Sequence, residues 1–130
     1  MKYDHLIDSS AWMENFSGTK IGLQVEEIIQ NTKNCTTIMV VAELADKFCR
    51  ESLEFQPFFD YMKSKSSILA ISESIALRSA EIKKQLRKSA PDTSLIDAIN
   101  LAAAREVKAK LVTCDSDFSH SEDVILIQKS

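Results

Sequence analysis

Leu111-Val112-Thr113-Cys114-Asp115-Ser116-Asp117-Phe118 is a short apolar run that ends on a carboxylate. Residues 110–113 read as a β-strand, and Asp115 stands just past its carboxyl end. The same pattern recurs near the other end of the chain, where residues 3–7 read as a strand and Asp8 follows Leu6-Ile7. Further strands are expected at 36–38, 67–71 and 124–127. Helices are expected over 20–30, 39–50, 72–88 and 95–107, and over 53–65 with a bend or break near Pro57. Ser9 or Ser10 is placed to cap a short helix through about Phe16. Strands alternating with helices predict an α/β fold with a central parallel sheet covered on both faces.

The chain has 130 residues, enough for a single domain over 1–130 with its own core. No apolar stretch approaches the roughly 20 residues that span a bilayer. The N-terminus carries Lys2, Asp4, His5 and Asp8 without an apolar core segment, so it does not read as a secretory signal and the cytoplasm is expected. Cys35, Cys49 and Cys114 are scattered and odd in number, which favours free thiols over a disulfide framework. His5 and His120 have no zinc-type companions at short spacing. The formal charge of −3 disfavours indiscriminate binding to nucleic acid, but acids gathered at one site would leave room for a basic surface elsewhere.

Four carboxylates stand where packing does not call for one. Asp8 and Asp115 follow apolar runs, Glu43 interrupts the apolar segment that starts at Ile38, and Asp97 is the only charge between Leu95 and Ala104. In open parallel sheets, ligands gather beyond the carboxyl ends of the strands. That edge would receive Asp8 and Asp115 directly, and Glu43 and Asp97 from early helical turns. Crowded carboxylates raise one another's pKa unless a cation compensates them. An acid set without His or Cys suits Mg²⁺ or Mn²⁺, which can activate water against a phosphodiester. Ser9 and Thr113 stand beside Asp8 and Asp115 as supporting hydroxyls.

Each acid also has a plainer reading. Asp8 can be a helix N-cap, Glu43 a solvated helix residue, Asp97 a first-turn residue behind a cap at Asp92, Thr93 or Ser94, and Asp115 and Asp117 ordinary turn residues. Only a topology that brings them together favours the joint reading.

Taken together, these segments resemble the PIN domain family of nucleases, and within it the VapC-like toxins of type II toxin–antitoxin pairs. The similarity rests on Leu6-Ile7-Asp8-Ser9-Ser10-Ala11-Trp12, on Val41-Ala42-Glu43-Leu44, on Leu95-Ile96-Asp97-Ala98-Ile99 with Ala102-Ala103-Ala104, and most specifically on Leu111 to Phe118. The resemblance implies a three-layer α/β/α sandwich and a Mg²⁺- or Mn²⁺-dependent endoribonuclease acting on single-stranded or loop RNA. It further implies a homodimer restrained by a cognate antitoxin. Asp8, Glu43, Asp97 and Asp115 would then be catalytic metal ligands, with Asp117 accessory. Cys114 departs from the pattern, since many relatives carry a basic residue there.

Arg78, Lys83, Lys84, Arg87 and Lys88 crowd one helical segment. They are either a solvated face or a track for RNA phosphates, to which Lys84, Arg87 and Lys88 are assigned. Phe55, Phe58, Phe59, Tyr61 and Met62, with Trp12, Met13 and Phe16, supply core and, for some of them, a partner groove. Two other functions compete. A non-catalytic scaffold in an RNA-processing or ribosome-linked assembly has no need for crowded acids. A phosphotransfer enzyme of another α/β fold would want a second Asp soon after the first strand, where Ser9 and Ser10 stand.

Overall fold

A computed structural model describes residues 2–119 and 121–128, so His120 lies outside the described residues. Five strands form one sheet: β1 (His5–Ile7), β2 (Asn34–Thr37), β3 (Ser67–Leu69), β4 (Lys110–Thr113) and β5 (Val124–Leu126). Their order is β3-β2-β1-β4-β5 and every pairing is parallel. The helices are α1 (Ser9–Ser17), α2 (Lys20–Asn31), α3 (Ile38–Arg50), α4 (Gln56–Lys65), α5 (Glu73–Leu86) and α6 (Leu95–Glu106). Chain order runs outward from β1 to β3 on one side and from β4 to β5 on the other. The direction of winding therefore switches between β1 and β4, which is where a doubly wound sheet opens a ligand crevice.

Adjacent residues of a strand face opposite sides, and the core divides accordingly. Leu6 and Leu111 join Tyr3, Ile75, Leu101 and Ala102-Ala103-Ala104 in one apolar layer, under α5 and α6. Ile7 and Val112 join Trp12, Val25, Val40, Leu44 and Met62 in the other, under α1 to α4. The three alanines are fully buried, so α6 sits close on the sheet.

Most elements fall where the sequence places them, with ends trimmed by side-chain caps. The expected strand at 36–38 instead covers Asn34–Thr37, and Ile38 opens α3. Thr37 brings this about, because its hydroxyl accepts the Val40 amide at 3.2 Å and starts the helix one residue early. The expected helix over 53–65 begins only at Gln56. Ser52 adopts a positive φ of 56° that ends α3, and Pro57 sits in the first turn of α4, where a missing N–H costs nothing. Ser72 caps α5 through the Ile75 amide at 3.1 Å, which sets its start at Glu73.

α1 and α2 cross closely because Gly22 has no side chain: a Cβ there would collide with the backbone carbonyl of Glu14. Gly22→Ala is expected to destabilise the protein by about 1–3 kcal/mol through overpacking. This should outweigh the roughly 1 kcal/mol gain in helix propensity. Urea unfolding measures it, and an unchanged or raised midpoint would contradict the crossing described.

Candidate active site

Asp8 continues the β1–β4 ladder for one more bond, its amide donating to the Val112 carbonyl at 3.1 Å. It then turns the chain into α1 as the N-cap, with Oδ1 accepting the Ala11 amide at 3.0 Å and the Ser10 hydroxyl at 2.8 Å. At only 6% exposure it is a buried carboxylate. Burial pushes its pKa up to about 6, against the pull of hydrogen bonds from Thr113, Ala11 and Ser10 and with a further push from Asp97.

Glu43 projects from the second turn of α3. Burial pushes it up to about 7, and the charges of Asp97 and Asp8 add to this while the Ser9 hydroxyl, donating to it, opposes. Asp97 is the third residue of α6 and closes a reciprocal capping box: its amide donates to the Ser94 hydroxyl at 3.1 Å and its Oδ2 accepts the Ser94 amide at 3.2 Å. Its pKa is also raised, first by desolvation, then by Asp115 and Asp117 against the Ser94 hydrogen bonds. Asp115 lies beyond β4 and caps the 3-10 turn Ser116–Phe118, with Oδ1 accepting the Asp117 amide at 2.9 Å and its own amide donating to the Thr113 hydroxyl at 3.0 Å. Asp117 is raised by the charge of Asp115, slight desolvation and the charge of Asp92.

Asp97 therefore lies within electrostatic reach of Asp8, Glu43, Asp115 and Asp117, and Asp8 also within reach of Glu43. No lysine or arginine is among the leading influences on Asp8, Glu43 or Asp97. The plainer readings of Asp8, Asp97 and Asp115 also hold, since Asp8 and Asp115 are caps and Asp97 is a first-turn residue behind the Ser94 cap. A capping bond engages one oxygen of each carboxylate. Among the described residues, no three acidic, histidine or cysteine side chains are drawn tightly enough together to ligate one ion as they stand. The capping bonds supply a physical reason, because they hold three of the carboxylates back against their own helix ends.

Two residues tie the site together in ways not read from sequence, and Ser10, expected with Ser9 as the cap of α1, lies within the helix behind the Asp8 cap. Ser10 links α1 to β4: its hydroxyl donates to Asp8, lies 3.3 Å from that of Thr113 and accepts the Cys114 amide at 2.9 Å. Asn100, buried one turn beyond Asp97, accepts the Thr37 hydroxyl at 2.6 Å and so fixes α6 against the start of α3. Both act over more than sixty residues of sequence separation, and only the fold shows it.

Lys84, Arg87 and Lys88 are exposed at the end of α5 and just beyond it. Leu86 borders one recess with Leu101, while Arg78 and Ile82 border another with Ala102 and Arg105, so the two helices lie antiparallel. The basic end of α5 thus faces the end of α6 that carries Asp97. Arg87 is partly engaged, its Nε donating to the Thr93 carbonyl at 3.0 Å.

A model of the PIN domain matches residues 5–123. The chain belongs to the PIN domain family. Its fold is that of solved toxin–antitoxin toxins. A chain of a toxin–antitoxin complex from Klebsiella pneumoniae superposes with a TM-score of 0.80 at 23% identity, over 98% of this chain and 100% of that one. A chain of the Rickettsia felis VapBC complex bound to a promoter DNA fragment gives 0.72 at 18% identity, over 95% and 97%. A VapC toxin of Mycobacterium tuberculosis, described as cleaving the sarcin–ricin loop, gives 0.69 at 15% identity, over 92% and 95%. No curated protein matches this PIN domain in sequence. Among the described residues, no helix is long and apolar enough to cross a membrane.

The buried acid carries a stability consequence with a definite sign. Asp8 has a folded-state pKa of about 6 against an ordinary 3.8, so its ionised form opposes folding. That opposition is absent below about pH 4, grows as pH rises through the interval between the two values, and at neutral pH amounts to about 3 kcal/mol. In metal-free buffer, Asp8→Asn keeps a capping oxygen and is expected to raise the unfolding free energy at neutral pH by roughly that amount, and hardly at all near pH 4. A pH-independent loss of stability would show that the carboxylate is not strained.

Proposed function

We propose that this PIN domain is a cytoplasmic metal-dependent endoribonuclease, the toxin of a toxin–antitoxin pair. The observation that carries this reading is the set of repelling acids Asp8, Glu43 and Asp97, with no lysine or arginine among their leading influences in the described residues, beside the switch point between β1 and β4. A structural role does not account for it, since caps are served as well by serine or asparagine, with no charge to desolvate.

The donor set is all carboxylate oxygen, which fits Mg²⁺ or Mn²⁺. Asp8, Glu43, Asp97 and Asp115 would hold the cation, with Asp117 as an accessory ligand. Bound there, the cation would supply a nucleophilic water and neutralise charge building on the phosphodiester. The chain's own part is positioning. Ser9 holds Glu43, Ser10 and Thr113 hold Asp8 beside the end of β4, and Thr113 also fixes the backbone at Asp115. Ionised Asp8 and Glu43 are costly in this pocket, so a cation that pairs with them gains from relief of that cost.

Partners follow from the same reading. RNA is the substrate, with Lys84, Arg87 and Lys88 guiding its phosphates towards the Asp97 end of α6. Support for an antitoxin partner comes from the relatives described as toxin–antitoxin and VapBC complexes. A surface suited to one exists where Phe16, Phe55 and Phe58 pack half-buried around Phe48, whereas Trp12 and Met62 are wholly core. The toxin is taken to work as a homodimer, as the family resemblance implies.

Cleavage of a structured RNA in Mg²⁺, Mn²⁺ or EDTA tests the reaction. Wild type is expected to cut with either ion and not in EDTA, and Asp97→Asn to lose at least two orders of magnitude in rate, consistent with losing a transition-state contact of roughly 3 kcal/mol. Equal activity in every case would remove the mechanism. Neutralising Lys84, Arg87 and Lys88 together should weaken RNA binding and flatten its salt dependence. An unchanged slope would refute the assignment of that helix end.

A further inference from the structure

Beside the carboxylate pocket, α1 and α3 enclose an open cleft of about 500 Å³. Glu43, Lys47 and Arg50 line the α3 wall, and Ser9, Ser10 and Glu14 the α1 wall. On α3 the spacing i, i+4, i+7 sets the three charged residues along one helical stripe. The rise along a helix puts Lys47 about 6 Å and Arg50 about 10 Å beyond Glu43. Moving outward from the acid pocket, the wall therefore presents first a carboxylate, then an ammonium group, then a guanidinium.

Basic residues in a last turn complement the helix dipole wherever they point. The dipole does not explain why both face this cleft. Neither is committed elsewhere. Lys47 makes no ion pair among the described residues. Arg50 pairs with Asp46 at 3.2 Å, but the two side chains are 69% and 70% exposed, so that pair is worth about 0–1 kcal/mol and yields readily to a better anion. The opposing carboxylate, Glu14, is held at the rim by the Thr19 hydroxyl, which donates to one of its oxygens at 2.7 Å, and it keeps its charge. A cleft of this volume holds a nucleotide or two of one strand rather than a duplex.

We propose that the α1–α3 cleft seats single-stranded RNA on one side of the scissile bond, with Lys47 and Arg50 each binding a backbone phosphate. This rests on the ribonuclease reading of the adjoining acids. It adds a second basic wall, on the opposite side of the sheet from α5. Arg50 offers a planar fork to two phosphate oxygens, and Lys47 a compact charge nearer the reacting centre.

The test uses a fluorescent single-stranded RNA and the Asp97→Asn protein, so that binding is read without cleavage. Adding Lys47→Gln and Arg50→Gln is expected to lower the slope of log K against log salt by about 1.4, about 0.7 for each phosphate no longer neutralised. In the otherwise native protein the same pair should raise KM for RNA cleavage several-fold with little change in kcat, and Lys47→Arg should restore most of the binding. Thermal midpoints equal to the parent's confirm that the variants fold. An unchanged slope and KM in folded variants, or a parent that binds no RNA, overturns the proposal. If the parent cleaves RNA while the slope is unchanged, the cleft assignment fails and the nuclease reading stands. If the parent cleaves nothing in Mg²⁺ or Mn²⁺ yet the slope falls, the phosphate wall stands and the nuclease reading fails.

Discussion

Like charges confined in a poorly solvated crevice repel, and the arrangement around β1 and β4 depends on how that repulsion is contained. Asp8 is almost wholly buried, and the charge of Asp97 reaches both Asp8 and Glu43. The protein contains part of the cost with neutral donors: the Ser9, Ser10 and Thr113 hydroxyls and backbone amides at helix starts. Each donates a hydrogen bond without bringing a competing positive charge. The ionised carboxylates are thereby left only partly compensated, which supports the proposed catalytic ion site over a purely structural cluster.

The capping bonds give this pocket its orientation. Asp8 and Asp115 cap a helix and a turn, and Asp97 closes the capping box begun by Ser94, so the acids of the proposed site also satisfy peptide groups at helix starts. Helix starts carry partial positive charge, which eases the crowding by about 0.3–1 kcal/mol at each end. The parallel sheet brings the starts of α1 and of the 3-10 turn to one edge, because β1 and β4 both deliver their carboxyl ends there, and α6 returns from α5 with Asp97 in its first turn. Sheet order, caps and acids are thus linked: moving a capping bond would move a carboxylate of the proposed site.

Much of this was legible in the sequence because it is written locally. Leu6-Ile7-Asp8 and Leu111 to Asp115 show a strand and its terminal acid in a few residues. Glu43 and Asp97 stand out as charges set into apolar runs. What could not be read is what depends on distant partners. Ser10 looks like any early-helix serine until the Cys114 amide arrives from the far end of the chain, and Asn100 looks like a polar residue in a buried helix until Thr37 meets it. The start of α3 lies one residue earlier than expected because Thr37 is β-branched and also a good cap, and capping prevailed. Lys47 and Arg50 do not stand out in the sequence, where the segment of α5 carries the denser charge run. Direction, not composition, separates the two surfaces.

The central claim is that acids from remote segments form a single cation site. Paramagnetic broadening by Mn²⁺ in an amide-resolved NMR titration tests it most directly. The account predicts that the amides near Asp8, Glu43, Asp97 and Asp115 broaden together, at the same low Mn²⁺ ratio, while those around α2 and the start of β1 stay sharp. Broadening of one acid without the others, or at several unrelated acidic surfaces in parallel, would contradict it.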